Sequence, residues 1–155
     1  MDINDYLLNH EGWQWRELLQ GWKWLLPPRF TVWLVNRFGD LFIQLDDGSI
    51  HRLDICAGTF LQVAASRDEF CGLCGNPEQA NDFLMMPLVD KLVAAERLLG
   101  PGECYSYHLN PAFGGDFTTG NVVVRSVIEH FAIFGPQHLL TKDIPDGTQV
   151  LFKTD

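Results

Sequence analysis

Apolar and polar positions between residues 30 and 60 alternate with turn residues in a pattern that predicts three antiparallel strands. Residues 30–35 are β-branched and aromatic, residues 41–43 resume the apolar run, and residues 50–55 alternate apolar with polar. Gly39-Asp40 separates the first two runs, and Asp47-Gly48 suits a hairpin loop because glycine reaches positive φ without steric cost. The segment therefore predicts a strand meander, and it contains no paired acid and base, nucleophile with its base, or phosphate-binding loop.

The first 26 residues carry apolar side chains at spacings of three and four, which predict helix. We expect two helical segments, broken near Gly12 and ended by Pro27-Pro28, because proline cannot continue a helix. The tryptophans of this arm cannot all face inward from one helix, so one or two should lie at the surface. A partner site is one interpretation of them, and core packing is the one we favour. They are Trp13, Trp15, Trp22 and Trp24.

Beyond residue 60 the pattern predicts further strands and helices. Residues 60–65 fit a fourth strand or the approach to a helix, and periodicity leaves both open. Asn76-Pro77 predicts a helix start, since asparagine caps and proline favours the first helical position. That helix should run to about residue 84, and 85–99 should continue helical. The remaining predictions are a strand at 103–109, a loop at 110–120, a strand at 121–125, a helix at 126–140 and a closing strand at 150–153.

These elements predict an α+β fold, with an antiparallel sheet of about five to six strands packed with several helices. The 155-residue chain is 46% hydrophobic and has five Trp and eleven Phe, which is enough apolar material for a packed core. We expect a single domain over 1–155, in which 1–28 form an N-terminal helical arm and 30–153 form the α+β core.

The charge balance disfavours nucleic acid and anionic lipid as partners. Eleven basic against twenty acidic residues give a formal net charge of −9, which repels phosphate and attracts basic protein surfaces. No apolar run approaches the roughly 20 residues of a membrane span, and the first residues are acidic where a secretory signal would be basic. We expect a cytoplasmic protein with no membrane or nucleic acid partner, and the oligomeric state stays open.

Cys71 and Cys74 form a CxxC pair, a spacing used in redox chemistry and zinc binding. The pair follows a helix-start pattern at residues 66–69, so it should lie at the end of a short helix, where the dipole raises thiol pKa values. Cys56 and Cys104 are isolated and complete no second zinc-binding pair. We favour buried or incidental cysteines, and a metal- or redox-active protein using Cys71 and Cys74 is the alternative.

The histidines give no metal-binding or catalytic pattern. His108 on a strand and His130 on a helix could be neighbours, whereas His10, His51 and His138 look scattered. His130 and His138 are eight residues apart and lack the four-residue spacing of a zinc-binding helix.

The loop at 110–116 contains Gly114-Gly115, which could let the backbone approach a small-molecule ligand. It lacks a phosphate-loop pattern, so we favour a tight turn and keep a small-molecule-binding module as a further alternative. We predict no catalytic, cofactor-binding or metal-ligating residue, no cofactor and no enzymatic activity.

Several short motifs, taken in order, resemble the C-terminal domain of type VI secretion DNase-immunity proteins, and the resemblance covers 30–153. The motifs are residues 33–42 (WLVNRFGDLF), Leu53-Asp54 with Ala57-Gly58-Thr59, Asn76-Pro77-Glu78 with Ala80-Asn81-Asp82, Gly100-Pro101-Gly102 with Cys104-Tyr105, Pro111 with Gly114-Gly115, and Ile144-Pro145-Asp146-Gly147. The resemblance implies an α+β domain that binds a cognate antibacterial nuclease and protects the producing cell. It brings no catalytic motif.

The resemblance and the charge point to one hypothesis. An acidic protein complements the basic substrate cleft of a nuclease, because complementary potentials speed encounter and disfavour other partners. The expected function is that of a non-enzymatic immunity protein, which neutralises a cognate, basic, nuclease-type toxin by occlusion.

Overall fold

A computed structural model describes residues 2–145 and 147–148 of the chain. The fold is α+β, as the sequence predicts. The strands are β1 Thr31–Val35, β2 Leu41–Gln44, β3 Ile50–Asp54, β4 Thr59–Ala64, β5 Glu103–Tyr107 and β6 Val122–Ser126. The α-helices are α1 Trp15–Leu18, α2 Arg67–Leu73, α3 Pro77–Leu84, α4 Met86–Ala94 and α5 Val127–Thr141. Short 3₁₀ segments lie at Ile3–Tyr6, Gln20–Trp22, Pro111–Phe113 and Thr119–Asn121.

The described strands form two antiparallel sheets where the sequence predicts one of five to six strands. The meander is a four-stranded sheet in the order β1-β2-β3-β4, and β5 pairs with β6 in a separate two-stranded sheet. The N-terminal arm occupies part of the open edge of β1, where Leu7 bridges Asn36 and the Leu8 amide donates to the Val35 carbonyl at 2.8 Å. The Tyr105 amide of β5 donates to the Arg37 carbonyl in the β1–β2 turn at 2.8 Å, and β5 forms its ladder with β6.

The segment that periodicity left open between strand and helix is a strand. β4 pairs antiparallel with β3, from Thr59 opposite Asp54 to Ala64 opposite Ile50. Ser66 then caps α2, its side chain accepting from the Glu69 amide at 3.1 Å. The predicted strand at 150–153 lies outside the described residues.

The helix predicted to continue from 76 to 99 is broken at Met85, which has a left-handed φ of 51°. The cause is Pro87, which has no N–H to give to the carbonyl four residues earlier. That carbonyl belongs to Phe83, and it accepts from the Asn36 side-chain amide at 2.9 Å instead. The second helix ends at Ala94 and leaves 95–99 non-helical.

The meander is buried on both faces, which explains why three consecutive residues of β2, 41–43, are apolar. Leu41 and Ile43 pack in one core cluster with Trp22 and Phe131, whereas Phe42 packs in the other with residues of α2–α4. The arm and α5 therefore cover one face of the sheet, and α2–α4 cover the opposite face.

The N-terminal arm is part of the core. Its predicted break near Gly12 is present, but the arm consists of short turns, of which α1 is only four residues long. Trp22 is fully buried and its indole N–H donates to the Phe131 carbonyl at 3.1 Å. The other three tryptophans of the arm are half-buried. Core packing therefore describes the arm better than a stripe of exposed aromatic side chains does.

Among the described residues, every helix is too short or too polar to traverse a lipid bilayer.

Candidate functional site

A cavity of about 180 Å³ lies where the meander, α3, the β5–β6 hairpin and α5 meet, and we call it the polar cavity. Its lining combines charged, polar and apolar side chains from segments distant in sequence. The charged residues are Asp40, Arg52, Asp54 and Asp82. The polar residues are Cys56, Tyr107 and His130, and the apolar ones are Phe38, Ala57, Met85, Phe117 and Phe134.

The turn between β1 and β2 directs Asp40 into the interior. The Asn36 side-chain carbonyl accepts the amides of Phe38 and Asp40, each at 3.0 Å, which shapes the turn. Gly39 takes a φ of +78° there, and a Cβ on it would lie 2.7 Å from the His130 ring. The sequence NRFGD thus packs its glycine against α5 and buries its aspartate.

Asp40 is the satisfied carboxylate of the cavity. It is 3% exposed, accepts from Arg52 Nη2 at 2.8 Å and takes the Ile55 amide at 2.9 Å. Arg52 also lies 3.4 Å from Asp82, whose side chain is 67% exposed. This one guanidinium is therefore shared between two carboxylates.

Asp54 is the uncompensated carboxylate. It accepts the Ala57 amide at 2.9 Å, and no cationic side chain among the described residues lies within ion-pair distance of it. Burial, followed by the negative charge of Asp40, raises the pKa of Asp54 to about 6. The three aspartates and Arg52 give the lining a net charge of about −2 when all are ionised.

Two buried polar groups of the lining lack hydrogen-bond partners within the part of the chain described. They are the Tyr107 hydroxyl and His130 Nε2, on side chains that are 3% and 1% exposed. Native proteins satisfy most such groups, because an unmade buried hydrogen bond costs about 1–3 kcal/mol. Arg52 Nε is a third unpartnered atom of the same lining.

His130 is held neutral. Its Nδ1 lies 2.9 Å from Ser106 Oγ, and burial lowers the pKa of His130 to about 4. The Phe38 carbonyl lies close enough to favour a proton on the ring, but it makes no hydrogen bond of normal geometry to Nε2. At neutral pH this residue adds no positive charge to the cavity.

The polar cavity lacks an activated nucleophile. The Cys56 thiol donates to Asn110 Oδ1 at 3.2 Å, and burial with the nearby charge of Asp54 raises the pKa of Cys56 to about 12. A thiol of that pKa is protonated at neutral pH and is a poor nucleophile. Burial also raises the pKa of Tyr107, so the hydroxyl stays protonated. This chemistry suits binding of a cation better than covalent catalysis.

An exposed aromatic side chain, Phe117, stands at the mouth of the polar cavity. It is 57% exposed and lies edge-on to Tyr107, with ring centroids 5.8 Å apart. Its loop is held by the Asn121 side-chain amide, which donates to the carbonyls of Leu109 and Asp116 at 2.8 Å each. The mouth is therefore an ordered surface with an aromatic ring beside carboxylates.

The glycine pair of this loop forms a tight turn. Gly114 has a φ of +105°, and a Cβ on Gly115 would collide with the Leu109 carbonyl. Asn110 caps the turn by accepting the Ala112 amide at 2.9 Å. Gly115 thus allows the loop to pack closely on itself, which agrees with the tight turn favoured from the sequence.

The CxxC pair lies at the end of α2, where the sequence predicts it. Cys71 is exposed, and Cys74 is half-buried at the helix C-cap, where burial raises its thiol pKa. Within 2–145 and 147–148, no group of three or more His, Cys, Asp or Glu side chains is placed to hold a metal ion.

The histidines are arranged differently from the sequence expectation. His130 is buried against the cavity while His108 is exposed. His138, expected to be scattered, is buried, and its Nε2 lies 2.9 Å from the Ile55 carbonyl and 3.5 Å from the Asn110 amide. It thereby ties α5 to the segment that follows Asp54.

Reasoning from the residues alone nominated no member of the polar cavity. One signal was present, because three motifs that carry the family resemblance each supply one carboxylate to the lining. These are Asp40 from the first motif, Asp54 from the second and Asp82 from the third. Tyr107 and His130 lie outside those motifs, and only the fold brings them to the same place.

The described residues form an α+β fold with a cavity lined by both charged and apolar side chains. Comparison with protein families adds that the model described as "T6SS immunity protein Tdi1, C-terminal" matches residues 64–136, just under half of the chain. This match confirms the resemblance to type VI secretion immunity proteins and supports an immunity role. Comparisons with curated proteins and with solved structures gave no match.

Proposed function

We propose that this protein is a non-enzymatic immunity protein, which binds a cognate antibacterial toxin of the nuclease type in the cytoplasm and neutralises it by occlusion. The observation that carries the proposal is the family match over 64–136. The matched range includes α3, β5 and most of α5, and with them Asp82, Tyr107, Phe117 and His130 of the polar cavity.

Charge supports a basic partner. The chain has a formal net charge of −9, and a nuclease cleft must be basic to hold DNA phosphates. Complementary potentials raise the association rate and penalise partners of the same sign. Binding over the cleft would exclude DNA from it without any chemistry by the immunity protein.

The cavity's protonation states support a binding role over a catalytic one. Cys56 remains a thiol and His130 remains an imidazole near neutral pH, so neither the usual nucleophile nor its base is ready.

The experiment pairs the purified protein with the toxin encoded beside its gene. We expect DNA degradation by that toxin to stop at about one equivalent of protein, as tight one-to-one binding requires. A toxin that stays fully active under a large excess of the protein contradicts the proposal.

A second readout tests occlusion itself. With a catalytically inactive toxin variant, fluorescence anisotropy of a labelled DNA duplex reports whether the protein and DNA compete. Displacement of DNA supports occlusion, whereas a ternary complex of toxin, protein and DNA, together with inhibited cleavage by the active toxin, would replace occlusion with a remote mechanism.

A further inference from the structure

We propose that the polar cavity receives one basic side chain, an arginine or a lysine, from the toxin. The inference rests on the proposed function, because it names the chemical group by which this surface recognises its partner. Charge, unfilled hydrogen bonds, size and the aromatic mouth support it in turn.

Charge selects a cation. Arg52 neutralises Asp40 at 2.8 Å and reaches Asp82 at 3.4 Å, which leaves Asp54 without an ion-pair partner in the described part of the chain. A guanidinium or ammonium group beside the half-buried Asp54 would restore the balance, through a charge-assisted hydrogen bond that is stronger than in bulk water. The same excess of negative charge repels a phosphate or a carboxylate.

Two acceptors of the lining suit a group that donates, whereas the unpartnered Arg52 Nε–H is a donor that such a group leaves unchanged. The Tyr107 hydroxyl is 3% exposed and unpartnered within the described residues, and its oxygen can accept from an N–H. Asp54 uses one bond, from the Ala57 amide, and its carboxylate retains further acceptor sites. Arginine and lysine offer several donors and no acceptor, which fits this set.

Size favours one side chain. The cavity holds about 180 Å³, whereas pockets for drug-sized ligands usually hold about 300–1,000 Å³. Met85 and Phe134 offer an apolar wall for the methylene stem of a long basic residue. Phe117, 57% exposed at the mouth, provides a ring face for a passing cation.

A bare metal ion fits less well. Within the residues that the structure describes, no cluster of three or more ligating side chains is placed for a metal. Arg52 also holds a permanent positive charge in the lining, which opposes a divalent metal ion more than it opposes a singly charged side chain.

Cation binding should be linked to the proton on Asp54. Protonation of this carboxylate removes the charge that attracts the ligand, so affinity should fall as the pH drops through about 6. The titratable and charged groups that face Asp54 are Asp40, Arg52, Cys56, Asp82, Tyr107 and His130. Burial raises the pKa of Cys56 to about 12 and lowers the pKa of His130 to about 4, so neither of these two groups titrates beside Asp54 near pH 6.

The first arm of the test uses the protein alone. Titration with N-ethylguanidinium up to roughly 100 mM, a range that detects binding weaker than millimolar, should shift the Tyr107 ring resonances saturably. Neutral N-ethylurea is the matched probe and should not. Equal responses to both probes, or an unchanged response in Asp54→Asn, would overturn the inference and indicate an adventitious additive only.

The second arm uses the toxin. Asp54→Asn should weaken toxin binding at pH 7.5 by at least about tenfold, because it leaves a buried cation unpaired. Glu11→Gln is the matched control, since it removes one exposed carboxylate outside the cavity lining and should leave affinity unchanged. Tyr107→Phe should give a smaller loss than Asp54→Asn.

The two arms separate the possible failures. If the wild-type protein inhibits the toxin and Asp54→Asn binds it equally well, the cavity inference fails while the immunity function stands. If the wild-type protein does not bind the toxin, the immunity function fails, and the small-probe titration still decides whether the cavity takes a cation.

Discussion

Two regions packed against the meander differ in what they bury. Against α2–α4, the rings of Phe42, Phe70 and Phe83 pack against one another with centroids 4.9–5.5 Å apart. At the polar cavity, Asp54 is half-buried without an ion-pair partner and the Tyr107 hydroxyl is buried without a hydrogen bond, both among the described residues. The first region supplies stability and the second reduces it. A costly arrangement of polar groups on an otherwise well-packed fold is characteristic of a binding site.

The largest effect on stability should come from the aromatic cluster of Phe42, Phe70 and Phe83. Phe70→Ala removes a ring that is 1% exposed and contacts Trp33, Phe42 and Phe83. We expect a loss of about 3–5 kcal/mol in the free energy of unfolding, from lost burial plus the cavity left behind. Urea denaturation at pH 7.5 measures it, and a loss below about 1 kcal/mol would mean that this cluster is not the stabilising core.

The next effect lies where the two regions meet. Gly39→Ala places a Cβ 2.7 Å from the His130 ring and strains a φ of +78°. Gly48→Ala is the matched control, because its φ is +87° but nothing lies within 4 Å of its Cβ. We expect about 1 kcal/mol of destabilisation for the control and at least about twice that for Gly39→Ala, from thermal or urea unfolding. Equal losses of unfolding free energy in the two variants would show that the His130 side chain moves aside without measurable cost.

Asp54→Asn should stabilise the protein. The folded pKa of Asp54 is raised from 3.8 to about 6, so its ionised form opposes folding above pH 6, and that penalty disappears as the pH falls toward 3.8. The variant should gain up to about 3 kcal/mol at pH 7.5 and nothing below about pH 4. Buried histidines such as His130 titrate in both proteins, so the difference between their urea-unfolding free energies isolates Asp54.

A destabilised Asp54→Asn variant at pH 7.5 would mean that the charged carboxylate has a compensating partner. Glu11→Gln, an exposed acid-to-amide change, should stay within about 0.5 kcal/mol of wild type at both pH values.

The smallest effects on stability should distinguish two buried tyrosines, Tyr6 and Tyr107. Tyr6 donates to Asp90 Oδ1 at 2.6 Å, a bond that helps to raise the pKa of Tyr6 to about 12, whereas the Tyr107 hydroxyl has no partner in the described chain. Tyr6→Phe should lose about 1 kcal/mol, and Tyr107→Phe should be neutral or slightly stabilising. Unfolding free energies that rank the two variants in the opposite order would place a bound water or another partner on Tyr107.

Local chemistry predicted much of the fold. The turn residues at 39–40 and 47–48 predicted the meander, and the caps at Ser66, Asn76 and Ser126 predicted three helix starts. Pro87 is the local sequence signal for the helix break at Met85. The hydrogen bond from Asn36 to Phe83 that stabilises the break joins residues 47 apart in sequence, so local patterns do not reveal it. The bridge between Leu7 and Asn36 at the edge of β1 likewise joins segments that local patterns do not connect.

The polar cavity was beyond local prediction for the same reason. Asp40, Asp54, Tyr107 and His130 come from four separate segments, and each reads in sequence as an ordinary turn, strand or helix residue. The pKa of Asp54 depends on burial and on Asp40, and both arise only in the folded chain. The family resemblance marked three of the carboxylates without indicating that they converge.

The most direct measurement is a pH titration of the Asp54 carboxyl carbon by NMR, in the free protein and in its complex with the toxin. The free protein should titrate with a pKa of about 6, and the complex should show a lower pKa because a bound cation favours the carboxylate. An ordinary pKa in the free protein, or the same pKa in both samples, would contradict the assignment of the polar cavity as the cation-binding site of an immunity protein.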